Sequence, residues 1–116
     1  MNNDILDLPE FLERVQDDKA LLLELLDIYQ EDFVAKRDIL QKAIAANNCE
    51  EVRGVAHSLK GASGNISAKR LRQIFLRLED MAKKNDLSAA GSLVVEMEKE
   101  YALVLERFTQ IKKEFK

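Results

Sequence analysis

The 116-residue chain contains one histidine, His57, and the residues around it are unusual for a helix. The stretch Ala56-His57-Ser58-Leu59-Lys60-Gly61-Ala62-Ser63-Gly64-Asn65-Ile66-Ser67 follows an amphipathic pattern. At about 100° per residue with His57 at 0°, Arg53 falls at about −40°, Lys60 at about −60°, Gly61 at about +40°, Gly64 at about −20° and Gly54 at about +60°. Val52, Val55, Leu59 and Ile66 gather on the opposite side, between about 160° and 220°. His57 is therefore expected in the middle of the solvent face, with cations and three of the chain's four glycines around it. An imidazole is a competent nucleophile and is ordinarily mostly neutral at pH 7. Each glycine in a helix interior costs about 1 kcal/mol relative to alanine, so a face built from them needs a reason. Bare backbone lets another macromolecule bring a reacting group up to the ring nitrogen. Close helix packing, or a helix C-terminus at Gly64-Asn65, explains a single glycine but not three around the sole histidine.

The pattern His57-x-Leu59-Lys60-Gly61, followed by Gly64-Asn65-Ile66, resembles the signature of histidine-containing phosphotransfer (HPt) domains of multistep two-component phosphorelays. The resemblance spans most of the chain, with an acidic amphipathic segment before the motif and a helix carrying Leu78-Glu79 after it. It departs at Ser67, where the family usually has glycine. The resemblance implies that His57 accepts a phosphoryl group from a receiver-domain aspartate and passes it to another receiver, or back. Lys60, one turn along the same face, would neutralise phosphate oxygens as a point charge. Arg53, Arg72 and the glycines Gly54, Gly61 and Gly64 would support the site. The implied partners are receiver domains of response regulators or of a hybrid sensor histidine kinase, with the Mg²⁺ held by the receiver and not by this chain.

What the sequence lacks narrows the chemistry further. There is no Walker-type Gly-Lys-Ser/Thr loop and no kinase-like glycine-rich loop after a strand. One histidine and one cysteine, Cys49, supply no set of metal ligands. The expectation is a phosphoryl carrier without an ATP site, a cofactor or a metal, and not an enzyme in its own right. The alternative is a helical adaptor that binds signalling proteins and carries no phosphate; the presence of both His57 and Lys60 weighs against it. A haem or metal bundle using His57 with Met81 or Met97 is disfavoured by the outward-facing histidine and the absence of Cys-x-x-Cys-His.

The single cysteine excludes an internal disulfide framework and fits a cytoplasmic location. No apolar run approaches the roughly 20 residues of a membrane span, and no signal peptide opens the chain. The net charge of −3 is uneven: Arg53, Lys60, Lys69, Arg70, Arg72 and Arg77 lie in a stretch without acids. Such an island suits an anionic partner surface or a phosphate. The acidic remainder and the absence of tryptophan argue against nucleic acid.

These residues must be positioned by helices, because no strand pattern competes anywhere in the chain. Asp7, Pro9 and Glu10 read as an N-cap, first turn and capping box for a short helix over 8–15. Asp17 or Asp18 starts a second helix over 18–46, with Leu22, Leu26, Tyr29, Phe33, Leu40 and Ile44 on one side. Asn48 with Glu51 caps the histidine helix over 49–64, and Ser67 is expected to cap the next, over 67–85, with Leu71, Ile74, Phe75, Leu78 and Ala82 inward. The last helix, 88–115, carries Val94, Met97, Tyr101, Val104, Phe108, Ile111 and Phe115. Short links make neighbours antiparallel. The expected fold is one all-α domain over 1–116, an antiparallel up-down four-helix bundle with a short extra N-terminal helix. A monomer is expected, with the histidine face open and residues 1–4 frayed.

Overall fold

The computed structural model describes residues 2–115, all of whose regular structure is helical. The elements are α1 (Asn2–Ile5), α2 (Leu8–Arg14), α3 (Lys19–Ala45), α4 (Cys49–Asn65), α5 (Lys69–Lys83) and α6 (Ala90–Glu114). The last four form the bundle: α4 packs between α3 and α5, and α6 closes the ring against α5 and α3. At about 1.5 Å per residue α3 alone spans about 40 Å, close to the full 44 Å length of the molecule.

The caps explain the starts. Asp7 accepts from the Glu10 amide, Asp18 from the Leu21 amide and Asn48 from the Glu51 amide, each satisfying an amide that the helix leaves unpaired. The connections share another device: Gln16, Asp17, Asn47, Ser67 and Asn85 all take positive φ values, 54° to 62°, turning the chain back within a few residues.

The core is continuous through all the helices. Phe33 is its centre, stacked on Tyr101 at 3.7 Å with the rings 5° from parallel, and lying 6.1 Å from Phe75 and 5.9 Å from Tyr29. The expected inward residues of α5 are all buried; Ile44, Val94 and Phe115 are only partly so, while Ala43, Ala90 and Leu93 are buried in their helices.

Four expectations need correction. Residues 2–5 form a helical turn that packs on α5 and α6, because Leu6 behind it is fully buried and anchors the segment; Met1 lies outside the described residues. Glu10 does not close a capping box: the Asp7 amide donates to the Ser67 carbonyl, and the Glu10 carboxylate turns to Arg14, Ser67 and Lys69. Ser67 does not cap α5: its φ of 60° puts it in the turn itself, Ala68 takes the cap position without a side-chain bond, and the helix starts at Lys69. The helix expected over 88–115 begins at Ala90, because Asp86 accepts from the Ser88 amide and the Leu87 carbonyl accepts from the Ala90 amide, which turns the chain just before the helix.

Candidate functional site

His57 projects from the middle of α4 with its side chain 68% exposed. Leu59, Ala56 and Val52 are fully buried on the other side of the same helix, as the periodicity requires. The ring is oriented from α5: Nδ1 of His57 lies 2.8 Å from Oε2 of Glu79, and Nζ of Lys60 lies 2.6 Å from Oε1 of the same carboxylate. Glu79 itself is buried, its side chain 5% exposed.

The electrostatics assign the proton. The Lys60 hydrogen bond holds the Glu79 carboxyl below the usual carboxylate range, aided by the bond from His57 and by the charge of Lys83 and opposed by burial. An ionised carboxylate only accepts hydrogen bonds. Nδ1 of the neutral ring therefore carries the hydrogen, and the lone pair is left on Nε2, the nitrogen Glu79 does not hold.

The glycines behave as the helix geometry requires. A Cβ added at Gly54 or Gly61 would meet nothing within 4 Å, so both positions open onto solvent beside the imidazole. At Gly64 a Cβ would lie 3.3 Å from Cδ of Arg72, so this glycine seats the arginine stem. Gly64 is the penultimate residue of α4, which ends at Asn65.

The basic island divides in space. Lys69 pairs with Asp7 and Glu10, Arg70 with Glu100, and Arg77 with Glu96. Lys60 is bonded to Glu79 on the side of His57. Arg72 rests beside Gly64, two turns from His57, so the structure does not bring it to the ring. Arg53 lies one turn before His57 and is exposed. Ser63 bonds to Tyr29 in the core, and Ser58 accepts from Lys36 on α3.

Glu79 is the residue that sequence reasoning missed. It follows Phe75 by four residues at the edge of the apolar stripe of α5, and it is the first acid after the acid-free stretch. Among the described residues no group of three histidine, cysteine, aspartate or glutamate side chains could hold a metal ion. Met97 is buried in the core and Met81 partly so.

A four-helix bundle that offers one outward imidazole, oriented by a carboxylate and flanked by glycines, presents a nucleophile to a partner macromolecule. The family model described as "Hpt domain" matches residues 24–108, and the chain belongs to that family. The structure is similar to the crystal structure of histidine-containing phosphotransfer protein B (HptB) from Pseudomonas aeruginosa PAO1, with a TM-score of 0.83 and 30% sequence identity over 97% of each chain. No curated protein matches the sequence. The function is phosphotransfer in a two-component phosphorelay, through interaction with receiver domains, and the chain is a carrier rather than a kinase.

Proposed function

We propose that His57 is the phosphoacceptor and that Nε2 is the attacking atom. The observation that carries this reading is the Glu79 carboxylate on Nδ1, which leaves the lone pair on the outward nitrogen. In the transfer step the Nε2 lone pair forms the bond to phosphorus. The bond from phosphorus to the receiver's aspartyl oxygen breaks, and its electron pair returns to the carboxylate. No proton has to leave: Nδ1 keeps its hydrogen, and the positive charge on the ring is matched by Glu79. The reverse sequence returns the phosphoryl group to a receiver. Phosphoryl transfer depends chiefly on positioning and charge, which is what these residues supply.

This chain has no role for ATP or a bound metal in that step; the Mg²⁺ belongs to the receiver. Docking would use the apolar cleft between α3 and α4 formed by Leu25, Ile28, Tyr29, Ala62 and Ile66, which begins one turn beyond His57. Ile28 is 52% exposed there, an apolar side chain free to be covered. The protein would act as a monomer in the cytoplasm; among the described residues no helix is long and apolar enough to cross a membrane.

The test is phosphoryl uptake. A labelled phospho-receiver is mixed with the protein and with its His57→Gln variant. Label that reaches only the natural protein, in an acid-labile and alkali-stable form, supports the reading. Equal labelling of His57→Gln overturns it.

A further inference from the structure

A concavity of about 560 Å³ lies between the N-terminal half of α4 and the C-terminal end of α5, lined by Cys49, Glu50, Arg53, Gly54, Ala82, Lys83 and Asn85. We infer that its two cations, Arg53 and Lys83, form an anion subsite that grips the phosphoryl oxygens once His57 is phosphorylated. The inference rests on His57 being the acceptor, and it assigns to Lys83 a part that no sequence motif indicated.

Three observations converge on it. Neither Arg53 nor Lys83 makes a hydrogen bond or ion pair within the described residues, whereas the cation nearest His57 in the motif, Lys60, is committed to Glu79. Arg53 and Lys83 are therefore both free to meet an added anion. The direction of the side chains is the second. In a helix they lean toward its N-terminus, so the His57 ring leans over Gly54 and Arg53. Because α5 runs antiparallel to α4, the same rule leans Lys83 back toward Glu79 and the ring. Its charge already helps to hold the Glu79 carboxyl low, which places it close to the row formed by His57 and Glu79. The third is Gly54 itself: nothing lies within 4 Å of where its Cβ would be, so the floor under the ring is open. A phosphoryl group on Nε2 would stand over that floor with one cation from each helix beside it. Glu50, the one acid in the lining, precedes Arg53 by about one helical turn, two turns before His57 along α4.

The experiment compares the natural protein with Arg53→Ala, Lys83→Ala and Lys83→Arg, all at exposed positions without a side-chain hydrogen bond or ion pair among the described residues. Each protein is phosphorylated from a phospho-receiver, separated from it, and followed by ³¹P spectroscopy and by the rate of phosphohistidine hydrolysis. Each alanine variant is expected to raise the pH at which the phosphoryl group titrates and to slow transfer about tenfold, the scale of one charge-assisted contact. Lys83→Arg should restore both. If the alanine variants slow transfer but leave the ³¹P titration unchanged, the cations touch the receiver and the subsite is overturned. If neither readout moves, it is overturned as well. His57→Gln, run in parallel, separates failure of the subsite from failure of the acceptor assignment, since only the latter leaves that variant labelled.

Discussion

Nδ1 of His57 donates to Oε2 of Glu79 over 2.8 Å, a bond that crosses from α4 to α5 and sets which ring nitrogen faces the partner. Replacing the carboxylate should therefore act on the ring before it acts on the fold. Glu79→Ala frees the imidazole to rotate and exchange tautomers, and misplacement on the scale of 1 Å costs about a hundredfold in rate. Glu79→Gln can still accept from Nδ1–H through its amide oxygen, but its NH₂ group then opposes Lys60, so an intermediate loss is expected. Transfer rates report the order of the two variants, and imidazole ¹⁵N spectra report the tautomer. An unchanged tautomer in Glu79→Ala would sink this assignment.

Glu10 links the N-terminal helix to the α4–α5 turn through Ser67, Lys69 and Arg14. The hydrogen bond from Lys69, then that from Ser67, lower its carboxyl to about 2 from an ordinary 4.5. A lowered pKa in the folded state stabilises the protein above the unfolded value and is lost as pH falls through the folded one. Urea midpoints of the protein and of Glu10→Gln should differ at pH 7. The gap should close between pH 4.5 and about 2. A gap of constant size across that range would show that ionisation of Glu10 contributes nothing.

Gly54→Ala and Gly61→Ala separate stability from function. Both sites are helical and open, so alanine fits without a clash in the free protein. Each substitution should stabilise by up to about 1 kcal/mol, read as a rise of a few degrees in Tm. Each should also slow phosphoryl transfer, because the added methyl group occupies space the partner needs. Faster or unchanged transfer in both variants would remove the clearing role of these glycines.

Ser67 sits at φ 60°, where an L-residue pays about 1–2 kcal/mol, and its hydroxyl donates to Glu10 and accepts from Arg14. Ser67→Gly relieves the backbone and loses the hydroxyl, so the two effects should nearly cancel in a denaturation curve. Ser67→Ala keeps the backbone cost and loses both bonds, and should be the less stable by about 1 kcal/mol or more. The reverse order would mean that the backbone at this turn carries no strain.

The helices were legible because the apolar spacing on α3, α5 and α6 leaves few alternatives, and the outward direction of His57 followed from Val52, Leu59 and Ile66 on the opposite side. Charge was less legible. Lys69, Arg70, Arg72 and Arg77 are neighbours in sequence, but Arg70 and Arg77 fall within about 20° of each other around α5 and turn to α6, while Lys69 turns to α2. Glu79 escaped because an acid beside Phe75 reads equally well as a surface residue; only the antiparallel register of α4 and α5 puts it under His57. Ser67 was misread because serine is both a good cap and a tolerable turn residue, and the need for a left-handed residue between α4 and α5 decided between them.

Arg14 has a consequence for how the protein folds. Its guanidinium donates to the carbonyls of Gly64 and Asn65 and to the Ser67 hydroxyl, all at least 50 residues further along the chain. α2 cannot complete these bonds until the end of α4 and the turn after it have formed, so its final seating waits on a distant part of the chain and carries the entropy cost of closing a loop of that length.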